Sequence, residues 1–431
     1  MTESTFKDNK PLIGLFPLFY NFGETCRVVL IAKRYKELGG EAIFFSHGGE
    51  CEYLAEDIGC KVVRIKPIYT KEYIDLLWKS SRLETFKNPF SKKILMEHVN
   101  EETKAFKKTG VKLIVSANNF PCGISARVAR IPLVSITPKV IISFTKYPDD
   151  GEFFFTRLIP QSLKLKILNW YAPKSKGYVR PFSKVAKKFG VSPPKIETDL
   201  IKGDYTFFVD SKELIGEEKS PMPTNEYYIG PYFFDEVLAK VFKTKQPEQE
   251  EKEILNHLKK PGKSIFFTLG SSGTKELFLK ILEVLNKTNY TVIAAYNSIL
   301  KESEVPKVND NILIKKFVPS TEKIHRMVDL SITNGGKGTV YTAAYAGKPV
   351  IGFPMQFEQH LNLELLVKHG MAIIASRKYF KEKELLKAID EIFSNYNFYL
   401  KNAHILSQKL PKPEGDKNAA RKIIEILQQN N

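Results

Sequence analysis

Residues Phe317–Asn362 read FVPSTEKIHRMVDLSITNGGKGTVYTAAYAGKPVIGFPMQFEQHLN. Within this stretch the apolar run Leu330–Thr333 predicts a short buried strand, and Asn334-Gly335-Gly336-Lys337-Gly338-Thr339 leads from it into a helix of small residues. Glycines at such a junction let the backbone approach a ligand. The unpaired N–H groups of the helix start, at the positive end of its dipole, favour a phosphate. A plain strand–helix turn in any doubly wound domain can look the same, so the loop taken alone leaves both readings open.

Working outward, the second half of the chain begins with a strand at Ser264–Leu269, a loop Gly270-Ser271-Ser272-Gly273 and a helix over Lys275–Leu285. Further strands are predicted at Thr291–Tyr296, Ile312–Lys315, Pro349–Phe353 and Ala372–Ala375. The first half alternates in the same way. Strands are predicted at Pro11–Phe19, Glu41–Phe45, Lys61–Ile65, Leu113–Ser116 and Leu133–Ile136, with helices at Thr25–Leu38 (stopped by Gly39-Gly40), Glu52–Ile58 and Gly123–Ala129. The alternation resumes at Tyr205–Val209 and Tyr227–Ile229. Strand–helix alternation implies parallel sheets covered by helices on both faces. The expectation is an α/β chain of two Rossmann-like, doubly wound domains, 1–235 and 263–431, joined by a charge-rich linker 236–262 that contains KTKQPEQEEKE. Ligands then belong in the cleft between them, outside the strand ends.

Composition narrows the classes. The chain has 431 residues, 43% hydrophobic and 26% charged, which excludes a disordered, collagen-like or small disulfide-stapled protein. Cys26, Cys51, Cys60 and Cys122 form no CxxC pair, as expected of free thiols in a reducing compartment. The N-terminal residues lack a signal-peptide pattern and no run approaches ~18 apolar residues, so a cytoplasmic location is expected. The net charge is +18. Half of it lies in 153–188, where Arg157, Lys164, Lys166, Lys174, Lys176, Arg180, Lys184, Lys187 and Lys188 stand without one acid among Phe, Trp, Tyr and Leu. Such a segment suits docking on an anionic membrane surface or a solvated helix pair packed by its apolar faces. No RNA-binding pattern accompanies the aromatics, so no nucleic-acid partner is expected.

Beyond the glycine loop, Phe317-Val318-Pro319-Ser320, Thr333–Thr339, Gly347-Lys348-Pro349, Pro354, Glu358-Gln359 and Asn362 follow one another in a fixed order. This order resembles the nucleotide-sugar signature of the GT-B glycosyltransferases, the superfamily of UDP-, macrolide and sterol glycosyltransferases. The resemblance implies that Phe317 stacks on the base, with Val318 and Ser320 nearby. It implies that Asn334, Gly335, Gly336, Gly338 and Thr339 hold the diphosphate, with Ser271 and Ser272 as a second phosphate loop. Glu358 and Gln359 would bind sugar hydroxyls, which a carboxylate beside an amide can match with acceptors and donors. Asn334, Ser320 and Thr342 stand where the family carries histidine, glutamine and glutamate.

The resemblance continues in Phe16–Arg27, where Glu24 occupies the place of the family's general-base histidine. The alternative for Glu24 is an acid favoured by a helix N-terminus. Where the family's supporting aspartate should follow Leu113–Ser116, this chain has Ala117-Asn118-Asn119. The C-terminal helix Ala419–Gln428 would return to brace the domains. The implied activity is an inverting, metal-independent transfer of a sugar from a nucleoside-diphosphate sugar, UDP in the family, to a hydroxyl acceptor, with no resident cofactor. The basic segment extends this to a lipid or lipid-linked acceptor and a peripheral position on the inner membrane face. Two rivals stand beside it: a GT-B nucleotide-sugar epimerase or hydrolase, and a non-catalytic lipid- or partner-binding protein on the same scaffold. No Asp-x-Asp, HxxxH or HxH spacing is present, His325, His360 and His369 are scattered, and His47-Gly48-Gly49-Glu50 reads as a capping loop, so no metal is expected.

Overall fold

The strands form where the sequence concentrates apolar residues. β4 (Leu113–Ala117), β5 (Leu133–Thr137), β8 (Ser264–Thr268) and β9 (Thr291–Ala295) are buried along their whole length, as expected of strands covered on both faces. The computed structural model describes residues 11–143, 177–234 and 247–429, except 83, 86, 219–220, 319–320 and 378–379, together with Leu163, Lys166, Ile167, Trp170 and Val237. Among these, β1 (Leu12–Phe16), β2 (Glu41–Ser46), β3 (Lys61–Arg64), β4, β5, β6 (Tyr205–Phe208) and β7 (Glu226–Tyr228) form one sheet in the order 3-2-1-4-5-6-7. β8, β9, β10 (Ile312–Lys315), β11 (Leu330–Thr333), β12 (Val350–Gly352) and β13 (Ala372–Ile374) form a second in the order 10-9-8-11-12-13. Neighbouring strands pair in parallel throughout. The expected pair of doubly wound sheets is what the chain forms.

Strand order reverses between β1 and β4 in the first sheet and between β8 and β11 in the second. These are the crevices where an open α/β sheet receives ligands. Helix α1 (Phe22–Glu37) leaves the first crevice, capped by Asn21, whose side chain accepts from the Glu24 N–H at 3.4 Å. Helix α2 (Lys92–Thr109) precedes β4 and ends on Gly110 in the left-handed region, φ 71°. Helix α3 (Lys337–Ala346) leaves the second crevice, and α4 (Phe357–Lys368) follows β12.

The two halves are tied together. Helix α5 (Gly415–Gln429) crosses back from the second half and buries Ala419, Ala420, Ile423 and Leu427 in one core with Val28, Val29 and Leu30 of α1. The Arg34 guanidinium meets Asp416 at 2.7 Å. Crossing at Gly415 brings backbones so close that a Cβ there would lie 2.0 Å from the Gly230 carbonyl oxygen. A second tie is buried and ionic: Lys337 at the start of α3 pairs with Asp210, beyond β6, at 2.7 Å. Ser211 N–H donates to the Tyr341 hydroxyl at 2.7 Å beside it.

Within the expected linker, Pro247–His257 is a helix, and Ile254 is buried with Phe266, Ile293 and Val328 of the second half. Much of the basic segment lies outside the described residues, including Arg157, Lys164, Lys174 and Lys176. Of the described part, Arg180–Lys188 is a helix that buries Phe182, Val185 and Ala186 and turns Arg180, Lys184, Lys187 and Lys188 to solvent. That stretch is the solvated helix face. Leu163, Lys166, Ile167 and Trp170 are helical and exposed, with Trp170 66% accessible. No helix among the described residues is long and apolar enough to cross a membrane.

Candidate active site

At the first crevice Glu24 sits in the opening turn of α1 and Asn118 directly follows β4. The Glu24 carboxylate is buried. Its two oxygens accept from Arg27 Nη1 at 3.1 and 3.0 Å, one turn along the helix, and Oε1 also accepts from the Asn118 amide at 3.0 Å. Asn118 holds a left-handed backbone, φ 53°, which asparagine tolerates better than most residues and which turns its side chain onto Glu24. The position of the family's supporting aspartate therefore touches the candidate base here, as an amide. Burial pushes the Glu24 carboxyl above the ordinary carboxylate range. Arg27 and Asn118 pull it back, and the charge of Glu358 on the other half adds to the rise.

The second crevice is built from the loops after β8 and β11. Ser272 is buried, and its hydroxyl accepts from the Asn334 amide and the Gln359 amide, each at 2.8 Å. Asn334 Oδ1 in turn accepts from Gly336 N–H at 3.1 Å. Gly335 has φ +76°, and a Cβ there would fall 2.6 Å from Leu363 and 2.7 Å from the Gln359 carbonyl oxygen, so glycine is required. Nothing stands within 4 Å of a Cβ built at Gly338. The turn is thus closed against the protein at Gly335 and open at Gly338, where α3 begins. Thr339 hydroxyl donates to Gly336 O at 2.9 Å, and Thr342 hydroxyl is spent on the Gly338 and Thr339 carbonyls at 3.1 and 3.0 Å. In the position of the family's ribose-binding glutamate, Thr342 is a helix-bound hydroxyl.

The other expected donor residues divide. Phe317 and Val318 are buried beside β10, with Phe317 8% accessible, and Ser320 lies outside the described residues. Ser271 lies in the turn Gly270–Ser272. Glu358 is half-buried at the start of α4, with Asn362 donating to it at 3.4 Å. Gln359 is employed at both ends of its amide: Oε1 accepts from Met355 N–H and Nε2 donates to Ser272, both at 2.8 Å. Gln359 is therefore the brace that joins the Ser272 turn to α4, and Glu358 is the more available partner for a ligand.

Arg27 was given no role in the sequence, and Asn119 stood out only as part of Ala117-Asn118-Asn119, where the resemblance places a supporting aspartate. Asn119 is 5% exposed, and neither Oδ1 nor Nδ2 has a partner, an expensive state that a ligand's polar group at the β4 end would relieve. The signal for it was the Asn118-Asn119 pair at a strand's C-terminal end. Aromatic side chains wall the same side. Tyr20 meets Trp78 edge-on at 5.6 Å and Tyr69 at 6.2 Å, and Tyr69 contacts Tyr73 at 5.0 Å. His47 does not behave as a residue of a capping loop. It is buried against Glu102 and His98.

Comparison with known proteins agrees with this fold. Residues 264–422 match the glycosyltransferase family 28 C-terminal domain. A PGL/p-HBAD biosynthesis glycosyltransferase of Mycobacterium tuberculosis is 26% identical over 342 residues, 77% of this chain and 74% of that protein. A PGL/p-HBAD biosynthesis rhamnosyltransferase of Mycobacterium bovis is 24% identical over 320 residues, 72% of this chain and 66% of that protein. Among solved structures, CalG4, the calicheamicin glycosyltransferase, superposes with a TM-score of 0.66 at 13% identity, covering 97% of this chain and 99% of that one.

Proposed function

Because the chain belongs to the GT-B glycosyltransferase superfamily, we propose that it transfers a sugar from a nucleoside-diphosphate sugar, UDP by resemblance, to a hydroxyl group by a single, inverting displacement. The observation that carries this is the pairing of crevices. Glu24, a buried carboxylate on one half, lies close enough to Glu358 on the other for their charges to interact, and Asn362 ties Glu358 to the glycine turn by donating both to it at 3.4 Å and to the Gly335 carbonyl at 3.2 Å. Glu24 removes the acceptor proton as the oxygen attacks the anomeric carbon. The N–H groups that begin α3 take up the charge growing on the departing diphosphate, as fixed dipoles that need no reorganisation and no metal ion. Glu358 holds a sugar hydroxyl.

The wall of Tyr20, Tyr69, Tyr73 and Trp78 suits an alcohol on a flat or apolar body, and the mycobacterial relatives act in PGL/p-HBAD biosynthesis. The decisive assay follows nucleoside diphosphate released from UDP-, TDP- and GDP-sugars, with and without a lipophilic phenol as acceptor. Release that needs the acceptor and yields a glycoside is expected. Equal release without acceptor would make the protein a hydrolase or epimerase.

The two residues at the start of α4 should separate. Glu358→Gln is expected to weaken a nucleotide sugar by ~10-fold in calorimetry while sparing the free nucleoside diphosphate, since one hydrogen bond to a charged group contributes about 1.5–3 kcal/mol. Gln359→Ala should weaken both ligands, because it releases the Ser272 turn. Equal losses on both ligands for Glu358→Gln would remove it from the sugar site.

We also propose that Leu163, Ile167 and Trp170, spaced along one helical face with Lys166, dock on anionic lipid. Each nearby Lys or Arg adds ~1 kcal/mol at such a surface, and the apolar contacts persist in salt. Binding to phosphatidylserine vesicles should fall with added salt without vanishing. Changing Lys164, Lys166, Lys174 and Lys176 to Gln should release the protein with nucleotide affinity intact. A wild type that ignores these vesicles at low salt would contradict membrane docking.

A further inference from the structure

Outside the cleft, one group of side chains is left short of positive charge. His47 follows β2, and His98 and Glu102 are i, i+4 neighbours on α2. His47 is 4% exposed, and His98 and Glu102 are fully buried. Three atoms converge: His47 Nε2 lies 2.9 Å from Glu102 Oε1, His98 Nδ1 lies 2.9 Å from the same oxygen, and the two ring nitrogens are 3.0 Å apart. His47 Nδ1 faces the Ile65 carbonyl at 3.1 Å. A carbonyl only accepts, so Nδ1 carries the proton and Nε2 of the neutral ring presents a lone pair to the cluster. Glu102 presents only acceptors. A neutral His98 brings at most one proton to satisfy three mutual contacts. Glu102 Oε2 is buried with no partner at all.

We propose that His47, His98 and Glu102 form a binding site for a divalent late transition metal, zinc by donor type. Two imidazoles and a carboxylate are a zinc donor set. Three points 2.9–3.0 Å apart lie on a circle of radius about 1.7 Å, so an ion at the usual ~2.0–2.1 Å from each stands roughly 1.2 Å off their plane. Opening the triangle by a few tenths of an ångström gives a tetrahedral face. Oε2 would complete the carboxylate's engagement, and the Ile65 carbonyl already fixes the His47 ring from behind, as metal-bound imidazoles are commonly fixed. Phe16 and Tyr69 pack on the His47 ring at 5.2 and 5.1 Å, shielding the centre from water. The ion ties the β2 end to α2 under the aromatic wall, a structural role separate from sugar transfer.

The test is the metal content of the full chain produced in zinc-supplemented medium, and the visible spectrum of protein produced in cobalt-supplemented medium. About one metal per chain and the intense bands of a four-coordinate cobalt(II) site are expected. Glu102→Gln and His47→Gln should lose both signals, and the surface control His404→Gln should keep them. If a ligand variant does not fold, the wild-type content and spectrum decide alone. A wild type without stoichiometric metal and without cobalt bands, or a folded Glu102→Gln variant that keeps the wild-type content, overturns the site.

Discussion

Glu24→Gln should lower the rate of sugar transfer by ~10²–10⁴-fold while leaving donor affinity nearly unchanged. The amide keeps the size of the side chain but cannot take a proton. Its Oε1 can still accept from Arg27 or Asn118, so the turn of α1 should hold its shape. The wild-type pH profile carries a second signature. Only the ionised carboxylate is a base, and burial sets its pKa above the ordinary carboxylate range. Transfer should therefore decline as pH falls through that raised value, and the Gln variant should lose this limb. Arg27→Lys should move the limb upward, since a looser cation favours the carboxylate less. A Gln variant with near-wild-type turnover would reduce Glu24 to a helix-start acid paired with Arg27.

Asp210→Ala should destabilise the protein by ~3–5 kcal/mol, because it leaves the Lys337 ammonium largely buried without its counter-charge. Asp210 is fully buried and Lys337 9% exposed, so solvent cannot replace the partner. The same carboxylate also accepts from Lys139 N–H at 2.6 Å and lies 3.3 Å from the Tyr341 hydroxyl. The double variant Asp210→Ala/Lys337→Met should recover much of the loss, since no charge is then stranded. Urea unfolding of the two single variants and the double measures the coupling. A cost under ~1 kcal/mol for Asp210→Ala would mean that the tie between the halves is not the one described. Lys337 lies inside the glycine turn, so this pair anchors that turn on the other half of the chain. Nucleotide affinity should drop in the single variants as well.

How far the sequence reached depends on the range of the interaction concerned. Buried parallel strands announce themselves as short apolar runs between turns, and β4, β5, β8 and β11 were legible for that reason. The glycine turn was legible because Gly335 tolerates no Cβ, a local demand written into a local motif. The Asp210–Lys337 pair spans 127 positions and His47–Glu102 spans 55, and no periodicity joins such residues. His98 and Glu102 do share a helix face, yet a histidine and an acid at that spacing are common on solvated helices; only burial with His47 distinguishes them. Gln359 has a bracing role that its motif position did not announce. Its motif position pointed to a sugar, while its hydrogen bonds go to Met355 and Ser272. Arg27 was hidden in the apolar pattern of α1, one turn beyond Glu24.

Isothermal calorimetry on the full chain tests whether the cleft between the two sheets receives a nucleoside-diphosphate sugar. UDP, TDP, GDP and ADP and their hexose derivatives would each be titrated without metal. Saturable binding of at least one nucleoside diphosphate is expected, with tighter binding of its sugar derivative and loss of both on Gly335→Val. Saturation at ~100-fold over the dissociation constant should also stabilise the fold by about 2.7 kcal/mol. Absence of binding by every nucleotide and nucleotide sugar would mean that the cleft serves no nucleotide sugar and would leave a binding protein on a glycosyltransferase scaffold.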